Sequence, residues 1–413
     1  MGFSTVVVIG LGYIGLPTAA ILAANDVDVV GVDINPTTVD AVNEGKVPFV
    51  EPDLGTLLAG AVGRGRLRAA STPEPADAFI LAVPTPFADD HKPDLSYVKA
   101  AAEAVAPLLR GGELVVLEST SPPGATSGVA EWVLAIRPDL SVDGADGRPA
   151  IHFAHCPERV LPGRVIVELV ENDRVIGGLT ATATERARDL YSVFCKGQLL
   201  VTDSTTAEMT KLVENAYRDI NIAFANELSL IADKLQIDVW ELIKLANHHP
   251  RVNILSPGPG VGGHCIAVDP WFIVDAAPES ARLIRTARMV NDTKPRWVVE
   301  KVLEAVTGIN SPTIAALGLA FKADIDDLRE SPAIEVVRDL AHVANAQILA
   351  VEPHIKTLPA SLGDAKNLCL TDLETALDAA DVVVVLVDHS AFRNAVGLLA
   401  ASAQVIDTRG VLS

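Results

Sequence analysis

Residues 5–15 of the chain read TVVVIGLGYIG, and this stretch decides the fold of the first third of the protein. The β-branched run from Thr5 to Ile9 predicts a buried strand, and glycines follow it at positions 10, 12 and 15. A helical segment from Leu16 to Ala24 comes next. A strand, a G-x-G-x-x-G turn and a helix in this order predict a βαβ unit that binds a dinucleotide. Glycines let backbone amides approach a pyrophosphate at the helix N-terminus.

An acidic residue in the expected place supports the same interpretation. Asp33 ends the next strand, about 20 residues further on, where a carboxylate can bind ribose hydroxyls. Ile34 and Asn35 follow it instead of an arginine, which favours NAD over NADP because a 2′-phosphate would meet a negative charge. A turn that needs glycines only for its own shape is the alternative. The expected cofactor-binding residues of this segment are Gly10, Gly12, Tyr13, Ile14, Gly15 and Asp33.

Further β-branched runs predict the rest of a parallel sheet, at Val27 to Val32, Phe79 to Val83, Leu114 to Leu117, Ile151 to Ala154, Val175 to Ile176 and Gln198 to Val201. Two of these runs are followed by polar turns, which would fall at the carboxyl edge of the sheet where ligands bind. The turns are Val83-Pro84-Thr85-Pro86 and Glu118-Ser119-Thr120-Ser121-Pro122. Thr85, Thr120 and Thr126 are therefore candidates to line the nicotinamide side, although a plain strand-ending turn explains them equally well.

The middle of the chain is helical. Residues 206–235 contain neither Gly nor Pro and predict one long helix, with Asp203 or Ser204 as its N-cap. Further helices are predicted over Val239 to Ala246 and over Ala281 to Val306, the latter with one interruption at Pro295. Between them lies a Pro/Gly-dense loop at 250–270, and loops of that length are usually functional or disordered.

Strand patterns return near the end of the chain, at Thr313 to Leu317, Gln347 to Val351, Val382 to Val387 and Val405 to Ile406, with helical stretches such as Ile334 to Val343 between them. We therefore expect an α/β protein in which two Rossmann-like parallel-sheet domains are joined by a helical central domain with one long helix. The predicted domains are 1–203 for NAD binding, 204–309 for the central domain and 310–413 for the C-terminal domain.

Charge and composition limit the partners. The formal net charge of −20 argues against a general nucleic-acid or anionic-membrane surface, so an anionic ligand must meet a local cationic pocket. The N-terminus lacks a basic region followed by an apolar run, and no stretch of about 18 apolar residues occurs, so we expect a cytoplasmic protein. The four cysteines form no C-x-x-C pair, and we expect neither a disulfide framework nor a metal site.

Candidate catalytic residues come from the central helix and the loop after it. Glu208, Lys211, Asn215 and Arg218 are spaced at three, four and three residues, which places them on one face of the helix. A solvated helix face is the ordinary explanation of such a stripe. The loop, however, adds HHPRVN at 248–253, GPGVGGHC at 258–265 and Asp269 one turn later.

Cys265 is the candidate nucleophile within this loop. Glycines before a cysteine let a substrate approach the thiol, and nearby cations favour the reactive thiolate. Cys156, Cys195 and Cys369 are expected to be small buried hydrophobic residues. His264 suits a backbone-orienting role better than that of a base, and it receives no assignment.

The sequence resembles the UDP-glucose/GDP-mannose dehydrogenase family. The segments that carry the resemblance are GLGYIGLPT at 10–18, CPERVLPG at 156–163, EMTKLVEN at 208–215, the run from His249 to Trp271, and Phe321-Lys322 through DLRESP at 327–332. They span all three predicted domains. The resemblance implies a four-electron oxidation of a nucleotide sugar at C6 with two NAD per sugar, in which Cys265 forms first a thiohemiacetal and then a thioester that water hydrolyses.

The resemblance also implies a role for each site residue. Catalysis is expected from Cys265, from Lys211 as a donor to the sugar oxygen, from Glu158 as the base for thioester hydrolysis, and from Asn215 with a water held by Thr120 and Asp269. The C-terminal domain is expected to bind the UDP-sugar, and Arg329 to reach the cofactor. The expected substrate-binding residues are Arg159, Val160, Lys211, Asn215, Arg218, His249, Arg251, Asn253, Gly262, Phe321, Lys322 and Arg409.

The resemblance implies UDP-N-acetyl-D-mannosamine as the substrate, since Arg159 and His249 depart from the pattern of the glucose enzymes and suit an N-acetyl group or an altered hydroxyl pattern. UDP-N-acetylglucosamine and UDP-glucose are the alternatives. A homodimer through the central domain is also expected. Two other functions stay open from the sequence. One is a 3-hydroxyacid-type dehydrogenase that performs a single oxidation without a cysteine, and the other is a non-enzymatic sensor of NAD or a nucleotide sugar.

Overall fold

A computed structural model describes residues 2–49, 51–86, 91–160, 163–263, 265–343, 345–363, 365–393, 395, 399 and 403–412, so His264 lies outside the described residues. The chain forms two compact units, Met1–Glu214 and Asn215–Ser413. Each unit is built around a sheet with helices packed on it, which confirms the predicted α/β class. The three predicted domain bounds stay a prediction.

The first unit contains an eight-stranded sheet in the order β3-β2-β1-β4-β5-β6-β7-β8. Its strands are β1 (Thr5–Ile9), β2 (Asp28–Val32), β3 (Leu67–Ala70), β4 (Ala78–Leu81), β5 (Leu114–Leu117), β6 (His152–His155), β7 (Arg174–Gly178) and β8 (Leu199–Asp203). Alternate residues of β1 enter opposite cores, Val6 and Val8 on one face and Val7 and Ile9 on the other. Burial on both faces explains why the central strands read as unbroken apolar runs.

Helices connect these strands, namely α1 (Gly15–Ala24), α2 (Pro36–Asn43), α3 (Leu54–Gly63), α4 (Ser96–Val105), α5 (Ala125–Ile136), α6 (Val165–Glu171) and α7 (Ala181–Tyr191). The neighbouring strands are parallel except for β6 and β7, which run antiparallel with Ala154 opposite Gly178 and His155 opposite Gly177. The sequence did not predict β3, whose residues Leu67–Ala70 carry no β-branched side chain.

The long helix α8 (Ser204–Leu235) confirms the predicted central helix. Asp203 accepts hydrogen bonds from the backbone amide of Thr206 at 2.9 Å and from its hydroxyl at 2.7 Å, as an N-cap does. The helix begins in the first unit and continues into the second.

The second unit contains a five-stranded, parallel sheet in the order β11-β10-β9-β12-β13. Its strands are β9 (Thr313–Leu317), β10 (Gln347–Val351), β11 (Leu368–Leu370), β12 (Val382–Val385) and β13 (Gln404–Asp407), and its other helices are α9 (Val239–Ala246), α10 (Asp269–Ala276), α11 (Arg282–Ala305), α12 (Pro332–Val343) and α13 (Leu373–Ala379). The sequence analysis did not separate the short helix α10 from the loop before it. Within the described ranges, no helix combines the length and the apolar character that crossing a membrane requires.

Two local expectations were wrong. Helix α11 is not interrupted at Pro295 but continues through it, because Pro295 lies on a buried face with Val298, Val299 and Val302, and packing there outweighs the lost hydrogen bond. Of the three cysteines expected to be buried, only Cys156 is. Cys195 is half-buried and Cys369 is exposed, since it lies on the edge strand β11.

Candidate active site

The glycine-rich turn after β1 has room for a ligand at only one of its three glycines. A Cβ atom at Gly10, whose φ is +93°, would lie 2.6 Å from the carbonyl oxygen of Ala82, and one at Gly15 would lie 1.9 Å from the carbonyl oxygen of Gly10. A Cβ at Gly12 would meet nothing within 4 Å. Gly10 and Gly15 thus permit the tight turn, whereas Gly12 leaves open space where a pyrophosphate can approach the backbone.

Asp33 lies beside this turn, as predicted from its position. Its Oδ2 accepts a hydrogen bond from the backbone amide of Leu11 at 2.9 Å. The turn occupies the point where the strand order reverses, between β1 and β4, which is where ligands bind in open α/β sheets. The turns after β4 and β5 meet at the same edge, where the hydroxyl of Thr85 donates to the carbonyl oxygen of Thr120 at 2.7 Å.

Tyr13 binds an acidic residue that the sequence analysis did not single out. Its hydroxyl donates to Glu51 at 2.7 Å, and Glu51 also accepts from the backbone amides of Gly163 and Val165, each at 2.9 Å. Glu51 therefore joins the glycine-rich turn to the start of α6. Ile14 directly precedes α1, and its apolar side chain offers no capping hydrogen bond.

Thr126, a candidate for the nicotinamide side, has a partner within the protein. Its hydroxyl donates to Glu208 at 2.6 Å, and Glu208 also accepts from the backbone amides of Thr126 and Gly124, at 2.7 and 2.6 Å. A carboxylate at the first turn of α5 satisfies amides that the helix leaves unpaired. Glu208 on the polar stripe of α8 thus has a structural role, and a cofactor role for Thr126 stays a prediction.

Glu158 lies in a buried cluster of charged groups. One of its oxygens accepts from the backbone amide of Arg159 at 2.6 Å and the other from Nη2 of Arg174 at 2.8 Å. Nη1 of Arg174 lies 3.8 Å from Glu118, which is as buried as the arginine. Burial, and next the charge of Glu158, raises the pKa of Glu118 to about 8. The sequence analysis missed Arg174, because nothing in the local sequence shows that it meets Glu158.

Cys156 belongs to the same cluster and is chemically inert there. Its sulfur lies 3.7 Å from Nη1 of Arg174, and burial raises the pKa of the thiol to about 12. A thiol that stays protonated is a poor nucleophile. The cluster therefore supports the assignment of nucleophilic chemistry to another cysteine.

The expected substrate residues of the first unit differ in their surroundings. Arg159 forms a two-pronged ion pair with Glu214, with nitrogen–oxygen distances of 2.5 and 3.1 Å. The half-buried Lys211 lies on α8 between Glu208 and Glu214, and among the described residues none accepts a hydrogen bond from its ammonium group. Val160 is half-buried. Lys211 is thus a cation whose hydrogen-bonding capacity can serve a ligand.

Cys265, in the second unit, is exposed and leads into the short helix α10. Its carbonyl oxygen accepts hydrogen bonds from the backbone amides of Val268 at 3.1 Å and Asp269 at 2.9 Å. Asp269 is buried, and its Oδ2 accepts from Nδ2 of Asn215 at 2.5 Å. The turn that carries the thiol is therefore tied through Asp269 to helix α8.

The glycines before Cys265 allow the loop to pack tightly against the C-terminal part of the unit. A Cβ atom at Gly262 would lie 2.3 Å from the carbonyl oxygen of Glu330, and one at Gly263 would lie 3.0 Å from the ring of Phe321. A Cβ at Gly258 would lie 2.6 Å from Nη1 of Arg409. These approaches bring three expected substrate residues, Gly262, Phe321 and Arg409, to one place.

A small, open pocket with a cavity volume of about 30 Å³ lies at this place. It is located where the order of the second sheet reverses, between β9 and β12, the position that ligands prefer. Lys322 and Arg409 supply positive charge, although Asp388 pairs with Arg409 at 2.6 Å. The lining residues are Pro259, Gly260, Ala320, Phe321, Lys322, Pro332, Ala333, Leu386, Val387, Asp388 and Arg409.

The two sheets repeat one arrangement at their reversal points. Gly318 follows β9 with a φ of +95°, and its Cβ would lie 2.4 Å from Val387, just as Gly10 follows β1 and approaches Ala82. Glu352 follows β10 and accepts from the amides of Leu319 and Ala320 at 2.7 and 3.0 Å, as Asp33 does from Leu11. The second sheet therefore has its own glycine turn after its first strand, paired with an acidic residue after the next strand, as the first sheet has.

His389 binds Glu352, the acidic residue of the second sheet. Its Nε2 lies 3.0 Å from Glu352, and its Nδ1 accepts from the backbone amide of Asp324 at 2.9 Å. Asp324, His354 and His389 lie close enough to hold a metal ion, but the Nδ1 of His389 is already used in that hydrogen bond. We therefore regard these contacts as a clamp on the turn that carries Phe321 and Lys322.

Other predicted residues lie on exposed segments. Arg218, His249, Arg251 and Asn253 are exposed, and Nδ1 of His249 accepts from the backbone amide of Arg251 at 3.3 Å. Arg329 forms a two-pronged ion pair with Asp327, with distances of 2.6 and 2.8 Å. Their assigned roles in binding stay predictions.

Three family models match the chain. The NAD binding domain of the UDP-glucose/GDP-mannose dehydrogenase family matches residues 4–195, its central domain matches 205–293, and its UDP binding domain matches 315–413.

Individual proteins match along the whole chain. An NDP-N-acetyl-D-galactosaminuronic acid dehydrogenase of Ralstonia nicotianae is 60% identical over 100% of this chain and 97% of its own. A UDP-N-acetyl-D-mannosamine dehydrogenase of Escherichia coli K12 is 55% identical over 100% of both chains. The solved structure of a UDP-D-ManNAc dehydrogenase from Pyrococcus horikoshii is 37% identical, covers 99% of this chain and 96% of its own, and superposes with a TM-score of 0.87.

Proposed function

Since this chain belongs to the UDP-glucose/GDP-mannose dehydrogenase family, we propose that it oxidises UDP-N-acetyl-D-mannosamine at C6 to the uronate, through a covalent intermediate on Cys265. It is an NAD-dependent UDP-sugar dehydrogenase, and thus an oxidoreductase. The single observation that carries the covalent route is the exposed Cys265, on a turn whose amides and Asp269 are ordered by hydrogen bonds.

The proposed reaction has four chemical steps. The C6 alcohol gives a hydride to NAD and its proton to water, which produces an aldehyde. The Cys265 thiolate adds to the aldehyde carbon, and the resulting thiohemiacetal gives a second hydride to a second NAD, which produces a thioester. Water then attacks the thioester carbon, the carbon–sulfur bond breaks, and the uronate leaves with the thiolate restored.

The residues of the candidate active site suit these steps. Lys211 is the donor that stabilises negative charge on the reacting oxygen. Glu158 accepts the proton of the attacking water, and Asn215, Asp269 and Thr120 position the water for proton transfer. These roles are supported by residue chemistry and by the contacts within each unit.

The sugar has a second candidate. The relative at 60% identity is named for an N-acetyl-D-galactosaminuronic acid, whereas several at 55–58% are named for UDP-N-acetyl-D-mannosamine. A nucleotide-linked N-acetylgalactosamine is therefore the alternative substrate that a specific observation favours. Both sugars share the N-acetyl group that we assign to Arg159 and His249.

The test is a side-by-side measurement of NADH formation with the UDP-linked forms of N-acetylmannosamine, N-acetylgalactosamine, N-acetylglucosamine and glucose. Under complete conversion we expect two NADH per sugar, with the highest kcat/KM for the N-acetylmannosamine form. Cys265→Ser should abolish steady turnover while NAD still binds with unchanged Kd. One NADH per sugar, or full turnover by Cys265→Ser, would overturn the covalent route.

We also propose that the enzyme works in the cytoplasm as a homodimer through the central helical region. Helix α8 leaves large apolar side chains exposed at helical spacing, with Tyr217 at 70%, Phe224 at 53% and Ile231 at 46% exposure. A contiguous exposed apolar face commonly marks an interface between chains. Light scattering of the wild-type chain and of a Tyr217→Lys/Phe224→Lys variant tests this, and a wild-type monomer at micromolar concentration would contradict it.

A further inference from the structure

Resting on the proposed function, we infer that Arg174 and Glu118 are positioning residues for the hydrolysis step. Arg174 holds the Glu158 carboxylate in place, and Glu118 stays neutral so that the arginine charge serves Glu158 alone. Neither residue belongs to the site predicted from the sequence.

The strand arrangement brings Arg174 to Glu158. β6 and β7 are antiparallel, with Ala154 opposite Gly178 and His155 opposite Gly177. Continuing that register by three residues places Glu158 opposite Arg174, the first residue of β7. The salt bridge of 2.8 Å therefore joins Glu158, three residues past the end of β6, to the first residue of β7.

Charge balance in the cluster requires one neutral carboxyl group. Arg174 is 3% exposed, Glu118 is 1% exposed and Glu158 is 9% exposed, so water cannot screen two carboxylates around one cation. Glu118 is the more deeply buried, it lies farther from the guanidinium, and hydroxyls of Tyr191 and Thr18 lie 3.1 and 3.2 Å from its oxygens. Hydroxyl groups serve a protonated carboxyl group as well as an ionised one, because they both donate and accept. We therefore place the proton on Glu118.

This arrangement prepares Glu158 as a base. Each of its oxygens is fixed by one donor, the amide of Arg159 and Nη2 of Arg174, which leaves lone pairs for a water. Arg174 itself lies over the rings of Tyr191 and Phe194, whose centroids lie 4.8 and 5.3 Å from its guanidinium carbon. A planar guanidinium can stack on aromatic rings while it donates hydrogen bonds in a fixed fork, and an ammonium group lacks that fork.

The first experiment separates hydrolysis from hydride transfer. Arg174→Lys is compared with wild type and with Arg66→Lys, which alters an exposed pair with Asp28 in the same unit. Stopped-flow NADH formation and mass spectrometry of the quenched protein are measured with the UDP-sugar that reacts fastest. For Arg174→Lys we expect a burst of two NADH per active site, then turnover slower by roughly ten-fold or more, with the acyl adduct on Cys265.

The outcomes distinguish the two proposals. One NADH per sugar from the wild type overturns the proposed function. Two NADH from the wild type, with no acyl adduct and unchanged turnover in Arg174→Lys, overturns only the role of Arg174. Equal slowing of hydride transfer and hydrolysis also overturns it, since a merely structural defect would slow both. Arg66→Lys should match the wild type.

A second variant keeps the inference testable where Arg174→Lys does not fold. Glu118→Gln imitates the neutral carboxyl group at every pH, so we expect the decay of its acyl-enzyme to lack the slowing that ionisation of Glu118 causes in the wild type. The titratable groups that face Glu118 are Arg174, Glu158, Cys156 and Tyr191. The pKa of Glu118 is raised to about 8. Above that pH the ionised wild-type Glu118 competes for Arg174, and decay of the acyl-enzyme should slow relative to Glu118→Gln. Identical pH profiles of the two proteins overturn the role of Glu118.

Discussion

Asn215 donates a hydrogen bond of 2.5 Å to Asp269, and the amide of Asp269 in turn donates to the carbonyl oxygen of Cys265 at 2.9 Å. Helix α8 and the turn that carries the thiol are thus joined by one carboxylate. An ionised carboxylate can only accept hydrogen bonds, and the NH₂ group of Asn215 is the donor that it meets here.

Asp269→Asn should therefore lower kcat. The new side chain replaces one acceptor oxygen with an NH₂ group, which opposes the NH₂ group of Asn215 in one of its two orientations, and we expect a loss of roughly 10- to 100-fold. The Kd of NAD should not change. The double variant Asn215→Asp/Asp269→Asn restores a donor and an acceptor in reversed order and should recover part of the rate. Wild-type kcat in the single variant would contradict this relationship.

Gly262→Ala should lower kcat by roughly 100-fold. Its Cβ would lie 2.3 Å from the carbonyl oxygen of Glu330, which is backbone and cannot move aside cheaply, so the loop before Cys265 must shift. Displacement of a reacting group by about 1 Å costs roughly 100-fold in rate. Gly363→Ala is the matched control in the same unit, because its nearest contact is an ordinary 3.6 Å. Steady-state assays should show loss in the first variant only, and equal activity of both would refute the argument.

His389→Ala should weaken nucleotide binding without altering the NAD site. Losing both hydrogen bonds of His389 releases Glu352 and the amide of Asp324, which hold the turn that carries Phe321 and Lys322. We expect the Kd of UDP, measured by calorimetry, to rise roughly ten-fold, the effect of about 1.4 kcal/mol. His389→Gln retains a donor for Glu352 and His389→Asn retains an acceptor for Asp324, so each should recover part of the affinity. An unchanged Kd in His389→Ala would rule out the clamp.

Lys294 should make stability depend on pH. Its ammonium group is buried, it donates to Ser229 at 2.6 Å and lies 3.7 Å from the centroid of Trp297. Burial lowers its pKa to about 7, against an ordinary value of 10.5. Between pH 7 and 10.5 the unfolded chain keeps the Lys294 proton and the folded chain releases it. The free energy of unfolding therefore rises with pH over this range. The gain from Lys294 is complete above pH 10.5 and is lost as the pH falls to about 7.

The comparison that isolates this effect is urea unfolding of the wild type and of Lys294→Met between pH 7 and 9. The free energy of unfolding of the wild type should rise relative to that of the variant, by up to about 1.4 kcal/mol per pH unit. Parallel pH dependences of the two proteins would show that Lys294 is not titrating in this range.

The sequence predicted the elements whose pattern is local. The buried strands of both sheets carry apolar runs, the glycines at 10, 12 and 15 follow a strand directly, and α8 has neither Gly nor Pro within 206–235. Strand β3 was not predicted because Leu67–Ala70 lacks β-branched residues. The continuity of α11 through Pro295 was not predicted because it depends on burial.

The site residues also divide into those that a local motif predicts and those that only the folded structure brings together. Cys265, Lys211 and Glu158 stand in motifs, whereas Arg174, Glu51 and Glu352 contact partners that lie outside their own local segment of the sequence. Glu51 meets amides more than 100 positions away, and Glu352 meets amides more than 30 positions away. Such contacts depend on strand order and register, which a single sequence does not determine.

The reversal of β7 has a consequence for how this activity can be inherited or transplanted. Because β7 runs back alongside β6, Glu158 and Arg174 lie only 16 positions apart in the chain. One continuous segment, 152–178, therefore carries the strand pair, the inert thiol and the salt bridge together. Recombination between related genes, or a deliberate graft, would move Glu158 and Arg174 together, whereas Glu118, the helix of Lys211 and the loop of Cys265 would have to be exchanged separately.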